Sequence, residues 1–332
     1  MCNHNDDLWE WSVFWHSNQL HSCVPVGEEH DTLGLVWRDF FGYLPAGTAI
    51  LDLGTGNGSL AAQAVAVSRS KSSPFLIHGV DLADIQPSKY VACADEFWTM
   101  VTFHPRTAME ILPFEAGSFD AIVSQYAIEY SNINESLLEA LRVLRPGGKL
   151  LFLLHADNSI LKNRCRQQYD QAQTILASKL FPTTTDLLGA LIEVESNNTA
   201  QGICRAKKRI LQLKNVFDEL EKGFSEVKDR SLIDNLFAAV RSLLSLRKSQ
   251  NLQTLTKMNE NIQLLLLAQS KRLQAMQQSA LDNIKVNQMA KKLRLLKMQQ
   301  VSLEVATTDT GAQCLGYWLS AEKPVAMNEE PS

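Results

Sequence analysis

The stretch AILDLGTGNGSLAAQAV, residues 49–65, places the tightest limit on what this chain can fold into. An apolar run ends in an acid, Asp52, three glycines follow at every second position, and an alanine-rich segment comes next. Gly54, Gly56 and Gly58 thus stand where a strand turns into a helix. Without Cβ atoms the backbone there can turn tightly and a ligand can approach it closely. The helix that follows aims free N–H groups at that ligand. A dinucleotide fingerprint, GxGxxG, requires glycine or alanine where Ser59 stands, so the spacing here is GxGxG. A carboxylate beside such a loop is poorly placed for a pyrophosphate and suits a ligand carrying positive charge.

The first 155 residues repeat the strand pattern. TAILDLG, FLIHGVD, TMVTFH, FDAIVSQY and KLLFLLH are short apolar runs bounded by Gly, Pro or polar turns, with helical patterns between several of them. That alternation predicts a parallel sheet with crossover helices. In INESLLEALRVLRPGGKL, Leu137, Leu138, Leu141 and Leu144 share a predicted helix face, and RPGG ends the helix before the next strand.

Beyond residue 156 the chain changes character. A helix is expected from about Asn158 to Phe181, and TTTD at Thr183–Asp186 can cap another. Between Gly223 and Gly311 there is no glycine, and between Pro182 and Pro324 no proline. The spacing predicts two long helices, roughly 205–247 and 250–299, paired as an antiparallel hairpin with a coiled-coil-like seam. The seam runs through Leu213, Phe217, Leu220, Phe224 and Val227, slips before Ile233, Leu236, Val240 and Leu243, and continues through Leu252, Leu255, Ile262, Leu266, Leu273, Met276 and Ala280, with Asn259 and Gln269 filling gaps. VSLEVATTD and CLGYWLSAE then read as a terminal β-hairpin, which makes the helices an insertion. The expected division is an N-terminal lid over 1–44, a core over 45–156, the insertion over 157–299, the hairpin over 300–324 and a disordered tail over 325–332.

A second acid, Asp81, ends the next predicted strand in IHGVDLAD, where a carboxylate can accept both hydroxyls of a ribose. A nucleoside with a cationic tail satisfies the loop, Asp52 and Asp81 together, and S-adenosylmethionine is such a molecule. ILDLGTGNG resembles the first motif of the class I S-adenosylmethionine-dependent methyltransferases. VDLAD is similar to their ribose-binding acidic motif, LPFEAGSFDAIVSQYAIEY to the segment ending in the fourth strand, and LRVLRPGGKLLFLLH to the helix, turn and fifth strand. The resemblance covers roughly residues 45–155 and, more weakly, the final hairpin. It implies a Rossmann-like α/β fold with a seven-stranded, mostly parallel sheet, an antiparallel last strand, and the helical insertion between strands five and six.

The resemblance also implies roles. Asp52, Gly54, Thr55 and Gly56 would contact the methionine part of the cofactor, and Asp81 the ribose, with Leu82 beside the adenine. Family members usually carry an acid near the adenine amino group before LPF; here Ala108 falls at that place, followed by Met109 and Glu110, so a backbone contact near Met109 replaces it. Ser124, Gln125 and Tyr126 end the fourth strand facing the methyl group. Candidate proton acceptors at the sheet edge are His155, Glu129 and Tyr126, with Tyr130 shaping the pocket. The reaction implied is in-line methyl transfer to an O, N, S or C atom of a small molecule, leaving S-adenosylhomocysteine.

In LWEWSVFWHSNQLHSC, Trp9, Trp11, Trp15, His16, His21 and Cys23 crowd together. They read either as a lid over the cofactor, since aromatic faces attract a sulfonium, or as an amphipathic helix burying tryptophans. His16, His21 and Cys23 lack the paired spacing of zinc sites, and the six cysteines form no CxxC pair, so no metal is expected. Residues 1–200 carry 12 Lys+Arg against 23 Asp+Glu, and residues 201–300 carry 19 against 8. The basic insertion is open to three readings: a structural arm that pairs with itself, a second subunit or the acidic body, a roof over the acceptor, or a protein- or RNA-holding surface. The scattered positive charges and few aromatics weigh against nucleic acid. A cofactor-binding scaffold without turnover is the non-enzymatic alternative. No apolar run has the length a bilayer needs and no secretory signal pattern opens the chain, which reads as cytoplasmic.

Overall fold

The computed structural model describes residues 9–17, 28–91, 97 and 99–325. They fall into two compact units, Met1–Asn163 with Ala275–Ser332, and Arg164–Gln274. In chain order the elements are α1 (Trp9–Trp15), α2 (Glu28–Tyr43), β1 (Ala49–Leu53), α3 (Ser59–Ser68), β2 (Leu76–Val80), α4 (Pro87–Tyr90), β3 (Val101–His104), β4 (Phe119–Gln125), α5 (Ile133–Val143) and β5 (Leu144–Leu154). Then come α6 (Ile160–Ala177), α7 (Leu180–Asn197), α8 (Ala200–Gly223), α9 (Ser231–Ser245), α10 (Leu252–Ser279), α11 (Asn283–Leu295), β6 (Gln299–Thr307) and β7 (Cys314–Glu322).

The seven strands form one sheet in the order β3-β2-β1-β4-β5-β7-β6. The strands β1 to β5 pair in parallel, while β7 runs antiparallel to both β5 and β6. This is the expected Rossmann-like α/β fold. The period-two pleat sorts the apolar runs onto two faces. From β5, Leu150, Phe152 and Leu154 enter one core with Leu137, Ala140 and Val143 of α5 and Val286, Met289, Ala290 and Leu293 of α11. Leu151 and Leu153 enter the other with Trp37 and Phe41 of α2 and Leu60, Ala61, Ala64 and Val65 of α3. Strands covered on both faces read as continuous hydrophobic runs, which is why β1 is buried at every position.

Two local expectations shift. The α5 face uses Leu137, Ala140 and Val143, and Leu138 is exposed. Leu138 follows Leu137 by one residue, 100° round the helix, so both cannot face the same core. The RPGG turn lies within the irregular start of β5, where Gly147 takes a left-handed φ of 76°.

The second unit corrects the two-helix hairpin. The proposed 205–247 helix breaks between Gly223 and Ser231, where Asp229 accepts the backbone N–H and hydroxyl of Ser231 and starts α9. The slip in the seam after Val227 falls in this break. In place of one hairpin, the seam residues Leu213, Leu220, Phe224, Ile233, Leu236, Phe237 and Val240 share a core with Ala172, Ile175, Leu180, Phe181 and Leu187 of α6 and α7. TTTD lies inside α7, where Thr184 Oγ1 donates back to the Leu180 carbonyl at 2.8 Å, so it caps nothing. The 250–299 helix also breaks: Asp282 caps α11 by accepting the Lys285 N–H at 2.7 Å, and Leu281 N donates to the His155 carbonyl at 2.8 Å. Residues 275–299 therefore belong with the sheet unit, and α11 forms part of its core. Among the described residues no single helix is long and apolar enough to cross a membrane, though α6 and α7, bent by 47°, pass on length and composition together.

Candidate functional site

The elbow forms at the C-terminal end of β1, the side on which open α/β sheets bind their ligands. Gly54, Gly56 and Gly58 have φ of 69°, 53° and 84°, all left-handed. Backbone N–H groups of Gly54 and Thr55 donate to the Val80 carbonyl at 2.9 and 3.0 Å, which ties the loop to the end of β2. Contacts are close on every side. A Cβ at Gly54 would lie 2.3 Å from the Ala127 Cβ, and one at Gly58 2.8 Å from the Phe103 ring. Gly79 of β2 leaves room for the Thr55 side chain, since a Cβ there would lie 2.6 Å from Thr55 Oγ1.

The two acids flank this loop. Asp52 is 2% exposed and its Oδ2 accepts the Thr55 hydroxyl at 2.7 Å. Burial pushes its carboxyl up to about 7 against that hydrogen bond, and the nearby Asp81 charge adds to the rise. Asp81 accepts the Gly56 N–H on one oxygen and the Ala83 N–H on the other, both at 2.8 Å. Burial lifts it to about 6, opposed by those two backbone donors. Two partly desolvated carboxylates with raised proton affinity make a site that a cationic ligand would relieve. The donor set therefore fits a nucleoside with a positively charged tail in kind.

The second wall comes from β4 and β5. Ser124 Oγ bridges the Leu53 carbonyl and the Ile128 N–H at 3.0 and 3.2 Å. The Gln125 side-chain Oε1 accepts the Trp37 indole N–H. Tyr126 has a φ of 53°, a conformation that costs a non-glycine residue about 1–2 kcal/mol. Three contacts hold it there: its N–H on the Leu153 carbonyl at 2.7 Å, its hydroxyl on the Leu315 carbonyl at 3.1 Å, and its ring stacked on His155 at 4.3 Å. Gly316 admits that ring, because a Cβ there would lie 3.3 Å from Tyr126 Cε1 and 2.4 Å from the Leu154 carbonyl.

Glu129 is 5% exposed, and its Oε1 accepts the His155 N–H at 2.8 Å. Burial pushes its carboxyl up to about 7, opposed by backbone N–H groups of His155, Glu129 and Ala127. Its Oε2 is buried without a hydrogen-bond partner. Tyr130 meets the His155 ring edge-on at 6.1 Å and the Trp11 ring at 5.5 Å. Tyr126, Glu129, Tyr130 and His155 are thus brought together at one edge, as a group that shares contacts.

The remaining sequence candidates lie around them. Met109 packs partly buried beside Gly54. Glu110 accepts the Asn132 N–H at 2.8 Å, so it supports the loop before α5. Leu82 is 41% exposed at the end of β2. The helix α1 lies on the same edge: Trp15 packs on Gly56, and His16 stacks on Tyr90 at 4.3 Å. His21 and Cys23 lie outside the described residues. Among the described residues no three His, Cys, Asp or Glu side chains converge as a metal would require.

Four contributors escaped the sequence reading. Asn57 is fully buried, and its Nδ2 donates to the Trp15 carbonyl at 2.8 Å. Ser12 Oγ accepts the Asp84 N–H at 3.0 Å. Ala127 and Gly79 keep space for the elbow. Only Asn57 had a local signal, as a polar residue inside a glycine run.

The strand order, the glycine elbow and the acid at each of two adjacent strand ends make up the C-terminal edge of a Rossmann-like α/β domain. Residues 51–152 match the family model of a methyltransferase domain. Over this segment the chain is similar to the class I S-adenosylmethionine-dependent methyltransferases. Similar relatives include two enzymes named ubiquinone/menaquinone biosynthesis C-methyltransferase. One, from Bartonella quintana, is 33% identical over 105 residues, 31% of this chain and 40% of that protein. The other, from Bartonella tribocorum, is 32% identical over the same shares. The chain thus spans about 40% of the length of the curated relatives it matches. A solved S-adenosylmethionine-dependent methyltransferase from Mesorhizobium loti is 22% identical with a TM-score of 0.31, covering 40% of this chain and 57% of that one.

Proposed function

We propose that this chain transfers a methyl group from S-adenosylmethionine to an O, N, S or C atom of a small-molecule acceptor at the exits of β4 and β5. The reading rests on one arrangement: within the matched segment, Asp52 and Asp81 at the ends of paired strands flank a loop of three left-handed glycines. Asp52, Gly54, Thr55 and Gly56 would hold the methionine part, Asp81 the ribose, and Leu82 and Met109 the adenine. When bound, the cofactor supplies a methyl already activated by its sulfonium.

The chain's own residues then have three tasks. Ser124, Gln125 and Tyr126 set the floor, with Tyr126 locked by strand, hairpin and His155. Fixing two reactants in this way can contribute about 7–11 kcal/mol of the barrier reduction. The Tyr130 ring, set edge-on to His155, covers that edge against water. Glu129, whose carboxyl rises to about 7, is placed to hold a proton near neutral pH. The aromatic floor and the relatives' naming for quinone biosynthesis support a flat, apolar acceptor.

Calorimetry with S-adenosylhomocysteine tests the cofactor premise, with single-site, saturable binding expected. Labelled cofactor incubated with an extract split into small-molecule and macromolecular fractions tests the acceptor class. Label is expected in the small-molecule fraction, and label confined to protein or RNA would refute that assignment.

A further inference from the structure

The helix α1 meets the elbow at the surface a ligand needs. The left-handed Gly56 exposes its Cα face, and the Trp15 ring rests there: a Cβ at Gly56 would lie 2.3, 2.5 and 2.7 Å from Trp15 Cζ2, Cη2 and Cε2. The indole therefore occupies the approach that the missing side chain opens. The attachment is specific. Asn57, between the second and third glycines, donates to the Trp15 carbonyl at 2.8 Å. Ser12 accepts the Asp84 N–H at 3.0 Å, just beyond the Asp81 end of β2. Trp11 stacks on Trp15 at 6.2 Å and sets its edge on Tyr130 at 5.5 Å, and His16 stacks on Tyr90 at 4.3 Å. Trp9, Trp11, Ser12 and Trp15 are all buried. The loop is satisfied from within as well, because the Gly56 N–H and both Asp81 oxygens are already engaged.

We propose that α1 is a self-occluding gate: docked on Gly56 through Trp15 and latched by Asn57 and Ser12, it competes with the cofactor for the glycine loop. This inference rests on the cofactor reading above and adds a regulation to that site. Cofactor entry requires α1 to lift, so the apparent affinity is the intrinsic one reduced by the fraction of molecules with α1 undocked. By the reciprocity of linked equilibria, a bound cofactor must in turn favour undocked α1. A helix that merely walls the cofactor in would have the opposite sign, since cofactor and helix would stabilise one another.

The test uses the full-length chain, S-adenosylhomocysteine, and the variants Asn57→Ala, Ser12→Ala and Trp15→Ala, each first checked for an unchanged far-ultraviolet dichroism spectrum. Ser12→Ala keeps the proposal testable should the buried Asn57 or Trp15 variants fail to fold. The expected result is binding about tenfold tighter in the variants, as for a gate docked in about nine molecules of ten. In the unaltered protein, saturating ligand should speed hydrogen exchange at residues 9–16. Weaker or unchanged binding in the variants, or slower exchange in α1, overturns the gate while leaving the cofactor reading intact. Absence of saturable binding in the unaltered protein and every variant overturns both.

Discussion

Replacing Gly54 by alanine separates a backbone penalty from a collision. At φ 69° an L-residue pays about 1–2 kcal/mol for the left-handed conformation. The new methyl group would also stand 2.3 Å from the Ala127 Cβ, well inside van der Waals contact. Neither partner can swing away, because both atoms are fixed to backbone. The loop beyond β4 must move, against the Ser124 hydroxyl that holds Leu53 and Ile128. Overpacking of this kind costs about 1–3 kcal/mol. Together the two effects predict a loss of about 2–5 kcal/mol. For a unit of this size that lowers the midpoint of thermal unfolding by roughly 5–15 °C. The control is Gly311→Ala, where φ is 68° and no atom lies within 4 Å of the added methyl, so the backbone penalty acts alone. Thermal and urea unfolding followed by circular dichroism would compare the two. If Gly54→Ala loses no more than Gly311→Ala, the close approach of Ala127 to the elbow is wrong.

Three further outcomes follow from the same contacts. Asp52, Asp81 and Glu129 are held at about 7, 6 and 7, above ordinary carboxyl values, so the folded chain keeps protons that the unfolded chain releases. Their contribution to stability therefore falls as pH rises from about 4 to about 7, and urea midpoints should drop across that same range and level off above it. Asp52→Asn should flatten that slope and raise the midpoint at the higher pH. Tyr126→Phe keeps the stack on His155 but leaves the Leu315 carbonyl without its hydroxyl donor, and should cost about 1 kcal/mol in chemical unfolding. In the second unit, Asn259 is 2% exposed and donates to the Phe181 carbonyl and Thr185 hydroxyl at 2.8 and 2.9 Å. Asn259→Ala should destabilise that unit by about 1–3 kcal/mol, visible as a downward shift of its unfolding transition.

The sheet was legible because each strand is a short apolar run closed by a turn residue, and because helix patterns separate the parallel members. The elbow was legible because its demands are local: three positive φ angles within five residues require glycine. The insertion's helical nature was equally plain, but its breaks were not. Seam periodicity tracks burial, and burial continues through Phe224 and Ile233 although the helix stops between them. The signals that mattered were single polar residues in polar stretches: Asp229, which accepts the Ser231 N–H ahead of α9, and Asp282, which caps α11. Long-range contacts were the least readable. Glu129 reads as a candidate proton acceptor in sequence, and nothing there shows that it is tied to the His155 backbone 26 residues away. The packing of Trp15 on Gly56 joins residues that no spacing rule connects. The crowding of tryptophans marked α1 for burial without naming the surface that would receive it.

The order in which the sheet is filled bears on how the chain is made. Its last strand, β7, sits between β5 and β6, so the outer edge of β5 has no ladder partner until residues 314–322 have been synthesised. More than a hundred residues of helix separate the two, and loop closure on that scale slows assembly. A nascent chain must therefore carry a bare, apolar strand border through roughly half of its translation. That interval is when aggregation and chaperone capture should be at their greatest.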